Sequence, residues 1–198
     1  MSKNFFKHLK VVTKHRILVF KYSCKVGIPF LGLIHDLSKY SYKEFSISEK
    51  NYTGYQSPLL TERRNNGMFS ECFVHHTNKN KHHFEYYIDY FGGDVILKIM
   101  PYKYNLEYVI DVISASKTYN GKKFNNNMPY EYFNSKNKKY LMHPASKEFV
   151  LVCLNKENWG FDVLPIYRTD SAKIYTAKKK FYSFEVDVLQ KSFFDGLI

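Results

Sequence analysis

What this sequence has little of narrows its chemistry first. Its 198 residues hold three cysteines and a single tryptophan. Cys24, Cys72 and Cys153 lie far apart, form no CxxC pair and each sit in an apolar stretch. That spacing excludes a disulfide framework and a cysteine-ligated zinc site, and the three are read as small buried hydrophobes in a reducing compartment. No GxxxxGK[ST] or GxGxxG string is present, so phosphate loops of those kinds are excluded. No Ser or Cys triad is evident either. The N-terminal stretch is interrupted by His8, Lys10, Lys14 and His15, and no apolar run reaches the length of a membrane span. A cytoplasmic chain with no membrane partner is expected.

Acidic residues are also scarce, 18 Asp plus Glu against 30 Lys plus Arg, for a formal charge of +12. That balance favours an anionic partner. The positive charges are dispersed, with short clusters only at Lys136–Lys139 and Lys178–Lys180, so a small anion such as a nucleotide is favoured over nucleic acid. Oligomeric state is not legible. A hydrophobic content of 44% is enough for a sizeable core, and the length suits one compact domain with a modest appendage. The 18% aromatic content, beside many Lys and Asn, is read as coding bias rather than function.

Periodicity predicts a mainly α chain. Phe5, Leu9, Val12, Val19 and Tyr22 recur at helical spacing over 4–25, with Gly27 as a C-cap. A second helix is expected over 29–40, carrying Phe30, Leu31, Leu33, Ile34 and Leu37. The polar stretch 46–67, with Gly54, Pro58 and Asn65-Asn66-Gly67, reads as a long connection of the kind that forms lids and binding loops. Further helices are expected over 68–91, broken at Asn78–Lys81 and ended by Gly92-Gly93, then over 103–119, 129–137 and 144–155. Segments 162–167 and 181–189 alternate as strands do. The expected organisation is a helical bundle over 1–156 with a small β-containing extension, 157–198, packed on it.

The histidines carry the chemical argument. His15 lies three residues after Val12 and four before Val19, so it points inward with them. In Ile34-His35-Asp36-Leu37-Ser38-Lys39 a His and an Asp stand side by side at the end of an apolar helix. Their side chains diverge by about 100° on a helix, yet a cation over the groove between them can take both. Lys39 shares their face, which suits an anion bridging the lysine and a metal. On 103–119, Glu107, Asp111, Ser114 and Thr118 form a polar stripe on an otherwise apolar helix, and Asp111 in its middle could close a site.

The order His, His-Asp, Asp across successive helices resembles the HD superfamily of metal-dependent phosphohydrolases, and HDLSK is similar to the HD-x-[GS]-K form of its cyclic-dinucleotide phosphodiesterases. That resemblance implies an HD-domain-like helical bundle with His15, His35, Asp36 and Asp111 as metal ligands and Lys39 contacting phosphate or the leaving oxygen. The strings HDLSKYSYKEF and NKNKHH also resemble a small bacterial and phage family of unassigned function, over roughly residues 10–155. The donor set suits one or two divalent transition ions (Mn, Fe, Co, Ni or Zn) better than calcium, and such an ion activates water and polarises a phosphoryl oxygen.

Two readings stay open for His75, His76, His82 and His83. Two-metal members of the superfamily place extra histidines between the HD pair and the last Asp, so these could hold a second ion. Here, however, His75 to His82 and His76 to His83 are each seven apart, about 10 Å on a continuous helix, and phosphate contact is the other reading. Glu44 is either a base standing behind the metal ligands or a solvated helix-end glutamate. Arg63 and Arg64 are either substrate-binding or a surface pair. His8 and His143 are not expected to be ligands, and Tyr86 and Tyr87 read as core.

The expected function is therefore hydrolysis of a nucleotide or related phosphate ester, with Asp36 and Lys39 central to the chemistry. The alternatives are an HD-type di-iron oxygenase and a non-catalytic nucleotide- or anion-binding protein.

Overall fold

The computed structural model describes residues 3–155 together with Lys173, Tyr175 and Thr176. The strands expected at 162–167 and 181–189 lie outside the described residues. Among the described residues the architecture is mainly α, with one two-stranded sheet. Helix α1 (Lys3–Lys25) opens it, followed by α2 (Pro29–Ile34), α3 (Tyr42–Lys50), α4 (Pro58–Asn65) and α5 (Glu71–Lys79). Strands β1 (Ile88–Phe91) and β2 (Asp94–Leu97) intervene before α6 (Tyr102–Asn120), α7 (Met128–Lys136) and α8 (Pro144–Leu154).

The centre of the described core is α6, which packs against α1, α7 and α8. Leu106, Val109, Ile110, Val112 and Ile113 are all buried in it, alongside Val19, Val26, Phe133, Phe149 and Leu154. Each large apolar side chain so buried contributes on the order of 2 kcal/mol. The same helix also buries Glu107 and Ser114, so its polar stripe faces the interior rather than solvent. Tyr175 docks on this core against Tyr102 and Phe149, its hydroxyl donating to the Met100 carbonyl.

Helix α1 ends as its sequence predicts. Gly27 takes φ +78, Ile28 N–H bonds the Ser23 carbonyl at 2.9 Å and Gly27 N–H bonds Cys24 at 3.4 Å, a Schellman closure that needs a left-handed residue at Gly27. This turns the chain so that α2 packs back on α1. The contact is close: a methyl group on Gly32 would lie 2.4 Å from Ser23 Cβ.

Five expectations are corrected. The helix expected over 29–40 stops at Ile34, because His35 is extended (φ −50, ψ 129) and Asp36 is left-handed (φ 53); a short 3-10 turn over Leu37–Tyr40 follows. Its apolar residues Phe30, Leu33, Ile34 and Leu37 are exposed, since Gly32 is the residue that faces α1. The stretch 46–67 is largely helical, within α3 and α4, because Pro58 starts a helix as readily as it ends one. The region 68–91 is α-helical only from Glu71 to Lys79; a 3-10 turn over Phe84–Tyr87 follows, and Gly92-Gly93 closes a hairpin between β1 and β2, with Phe91 paired to Asp94. Two glycines with positive φ are a two-residue hairpin signal as well as a helix stop. Among the cysteines, Cys72 and Cys153 are buried but Cys24 is exposed. Tyr86 is exposed, whereas Tyr87 packs against the core.

No helix among the described residues is long and apolar enough to cross a membrane.

Candidate metal centre

Four elements deliver the expected ligands. His15 comes from the middle of α1, and His35 and Asp36 from the turn that ends α2. His76 comes from α5, and Asp111 from the middle of α6. His82 and His83 stand in the loop after α5, where the chain has left the helix. The break that sequence spacing required to bring them to His76 is therefore real.

Local physics sets each piece. The α2 turn is pinned by Arg16, whose guanidinium donates to the His35 carbonyl at 2.7 Å and the Leu33 carbonyl at 2.8 Å. A cation at a helix C-terminus satisfies carbonyls that the helix leaves free. Asp is among the few side chains that tolerate the left-handed conformation adopted by Asp36. Helix α5 is capped twice: Ser70 accepts from Phe73 N–H and donates to Glu62, and the Glu62 carboxylate takes the Glu71 and Cys72 N–H groups. A carboxylate at a helix N-terminus is favoured by both the free N–H groups and the helix dipole.

The result is one buried cluster built around Asp36, which is fully shielded from solvent. Its Oδ2 lies 3.2 Å from His35 Nε2, 3.7 Å from His15 Nε2 and 2.5 Å from Lys39 Nζ. Its Oδ1 lies 3.2 Å from His76 Nε2 and 3.4 Å from His82 Nε2. Asp111 closes the first side, with Oδ1 3.0 Å from His15 Nε2 and 3.7 Å from His35 Nε2. Donor atoms of His15, His35, Asp36 and Asp111 lie within 4.8 Å of one another, and so do those of Asp36, His76, His82 and His83. Asp36 belongs to both groups, one oxygen to each.

These residues fit a metal ion. His15 Nε2, His35 Nε2, His76 Nε2, His82 Nε2 and both Asp36 oxygens are buried without a hydrogen bond of proper geometry. Burying six polar atoms unsatisfied is costly, and a cation between them removes that cost. The buried His/Asp groups are thus placed so that they could hold a metal ion.

The outer ring nitrogens tell the same story. Glu107 Oε1 lies 2.9 Å from His35 Nδ1 and 3.4 Å from His82 Nδ1. Glu44 sends one oxygen to His75 Nδ1 and the other to His76 Nδ1, each at 2.8 Å. Carboxylates on Nδ1 leave Nε2 free to ligate, which is how metal-bound histidines are usually supported. His35, His82 and Glu107 also group closely, but through the outer nitrogens, so Glu107 is a support rather than part of a third site.

Charge states follow from this crowding. Burial opposes ionisation of Asp36, yet His35, Lys39 and His76 hold its carboxyl well below the usual range. Burial also opposes ionisation of Asp111, but the adjoining His15 and His35 rings outweigh it. For His83, burial and then the neighbouring His82 and His76 push the ring well below its usual pKa, which keeps it neutral. Lys39, despite burial, is raised by Asp36 and Asp111 and stays charged.

Of the residues singled out from sequence, His15, His35, Asp36, Lys39, Asp111, His76, His82 and His83 meet. His75 does not join either group; it is half-buried on Glu44. Arg63 stacks on Phe73, 4.3 Å from the ring centre, and Arg64 is exposed. Neither arginine reaches the cluster. His8 and His143 lie outside it as expected, His143 accepting from Ala145 N–H as the cap of α8. Sequence reasoning missed the supporting part of Glu107, although it placed that residue on the Asp111 stripe. It left Glu44 undecided, and the structure buries it.

Comparison with known proteins places the chain without naming its chemistry. Residues 4–156 match the model of a family described as DUF5662, a family of unknown function. The chain belongs to that family. No curated protein and no solved structure matches it. The DUF5662 match contains every residue of the cluster, from His15 to Asp111.

Proposed function

We propose that this DUF5662 protein is a metal-dependent phosphohydrolase acting on a nucleotide or related phosphate ester. His15, His35, Asp36 and Asp111 hold a divalent transition ion (Mn, Fe, Co, Ni or Zn), and His76, His82 and His83 share Asp36 to hold a second. The observation that carries this reading is Asp36 itself: a buried carboxylate between two sets of histidine Nε2 atoms, its Oδ2 ion-paired with Lys39 and its Oδ1 without a hydrogen-bond partner. The likeness of HDLSK to the HD superfamily points the same way. Such an ion, when bound, acidifies a water and polarises a phosphoryl oxygen.

The chain's own groups do the rest. Lys39 Nζ, an ammonium at the edge of the cluster, neutralises charge gathering on the phosphoryl oxygens. Glu107 and Glu44 keep the histidine Nδ1 atoms protonated and the Nε2 lone pairs inward. The basic surface, +12 overall, draws anionic substrate toward the site. The same two adjoining groups also suit a di-iron oxygenase. Iron in place of the other metals, with oxygen consumed in turnover, would favour that reading.

The test is elemental analysis of freshly purified protein beside Asp36→Ala. About one or two equivalents of transition metal are expected in the native protein, lost in the variant, followed by phosphate release from a panel of nucleotides and phosphate esters. A native protein that carries no such metal and takes up none on titration rules out both enzyme readings and leaves a non-catalytic anion-binding protein.

A further inference from the structure

The two donor groups that meet at Asp36 are not equivalent. After the left-handed Asp36 the chain makes the 3-10 turn over Leu37–Tyr40, in which Lys39 N–H donates to the Asp36 carbonyl at 3.0 Å. That turn folds the Lys39 side chain back over the Asp36 carboxylate, where Nζ lies 2.5 Å from Oδ2. Both ends of the turn are tied to α1. Arg16 holds the His35 carbonyl before it, and at its far end lies 5.0 Å from the centre of the Tyr40 ring, while the Tyr40 hydroxyl lies 3.0 Å from Thr13 Oγ1. With the backbone held in this way, the part free to move is the four-carbon stem of the lysine.

Oδ2 is the Asp36 oxygen that faces His35 and His15, in the group completed by Asp111. Oδ1 faces His76 and His82, in the group completed by His83. Each group offers a divalent ion four donors, a full shell for a four-coordinate site. An ion ligated through Oδ2, however, must share that oxygen with the Lys39 ammonium. Two cations on one buried oxygen repel each other more strongly than they would in water. Moving the ammonium aside costs least when an anion receives it. Solvent reaches the group on that side: the Lys39 side chain is 32% exposed and that of Asp111 17%, whereas Asp36 is wholly shielded.

We propose that the two groups load unequally: His76, His82, His83 and Asp36 Oδ1 form the resident metal site, whereas His15, His35, Asp111 and Asp36 Oδ2 take their ion together with a phosphate-like anion that draws Lys39 away from Asp36. This rests on the two-metal phosphohydrolase reading and makes the phosphate a partner in assembling the centre as well as its substrate. A phosphate dianion has several oxygens, so one accepts from the ammonium while another is left for the ion. Lysine suits the exchange because it is a compact charge on a flexible stem; a forked guanidinium would grip the carboxylate through two bonds. The coupling is reciprocal, so the anion is bound more tightly by protein that holds both ions.

The test titrates the metal-free full chain with Mn2+, with and without saturating inorganic phosphate, and reads free Mn2+ by electron paramagnetic resonance. A protein-free titration corrects for the Mn2+ that phosphate itself holds. Without phosphate a tight step and a weak step are expected. Phosphate should leave the tight step unchanged and strengthen the weak one about tenfold, within the usual range of coupling between sites. His15→Asn should lose the phosphate-dependent step and His83→Asn the other. Lys39→Met keeps the stem without its charge, so its second step should be stronger than the native one in the absence of phosphate and respond less to it. Two native steps that phosphate leaves unchanged overturn the proposal and leave the phosphohydrolase reading standing. A single equivalent, with phosphate or without, overturns it too, as does phosphate acting on the step that His83→Asn removes. A folded Lys39→Met protein with a weakened second step does the same, because the lysine would then support that group. Should Lys39→Met fail to fold, the native titrations decide. A native chain that takes up no transition metal under any of these conditions sinks the phosphohydrolase reading itself, and this inference with it.

Discussion

Replacing Glu107 by glutamine tests the architecture of the centre more sharply than removing a ligand. Its Oε1 supports His35 Nδ1 at 2.9 Å and His82 Nδ1 at 3.4 Å, and those two rings belong to different metal groups. Glutamine keeps the shape and one acceptor oxygen but loses the charge, and charge-assisted hydrogen bonds are about twice as strong as neutral ones. Loss of an outer carboxylate typically costs 10–100-fold in metal affinity, about 1.4–2.7 kcal/mol. Because one residue serves both groups, Glu107→Gln should weaken both binding steps by about that factor. Glu44→Gln touches His76 but neither His35 nor His15, so it should weaken only the group containing His76. The assay is competition for zinc between the apo-protein and a chromophoric chelator, resolved into its two steps, with circular dichroism to show that each variant is folded. A folded Glu107→Gln protein that binds both equivalents as the native protein does would sink the reasoning. So would a loss confined to one step.

Two further outcomes follow from the packing. Gly32→Ala places a methyl 2.4 Å from Ser23 Cβ and 3.1 Å from the Phe20 backbone, forcing α1 and α2 apart. It should cost about 1–3 kcal/mol in urea unfolding and lower metal affinity through the displaced His35–Asp36 turn. An unchanged urea midpoint refutes this. Burial depresses the His143 pKa from 6.5 to about 4, so the folded state holds the ring neutral while the unfolded chain protonates it. Its contribution to stability is complete above pH 6.5 and declines as pH falls from there toward 4. His143→Asn keeps a cap acceptor for Ala145 and should flatten that decline in the apo-protein, by on the order of 1 kcal/mol after solvent screening. Parallel pH profiles for variant and native protein count against it.

The long periodic helices were legible from the chain alone. Helices α1 and α6 run within a residue or so of their expected bounds, because a 3.6-residue apolar repeat sustained over five turns has few alternative readings. His15, Asp111 and the HD pair were legible for a related reason: polar side chains on otherwise apolar faces must be satisfied by something. The shorter α7 and α8 also lie within a residue of their expected bounds, but the other short elements were not legible. In α2, α3, α4 and the β1–β2 hairpin, four to nine residues give too little periodicity, and proline and diglycine each admit a start, a stop or a turn.

Sequence by itself therefore determined the mainly α class, the core helix and a set of His and Asp residues suited to a metal. Only the tertiary structure decided how they combine. The helix break at His35–Asp36 depends on Arg16, nineteen residues away from His35, reaching two carbonyls. Whether His76 could meet His82 depended on where α5 stopped. The burial of Glu44 and Glu107 depended on which faces of α3 and α6 other helices covered. Local spacing sets the direction of a side chain within its own helix. The identity of what faces it is a property of long-range packing, in which residues 15, 36, 76 and 111 become neighbours only once the helices that carry them have closed around one centre.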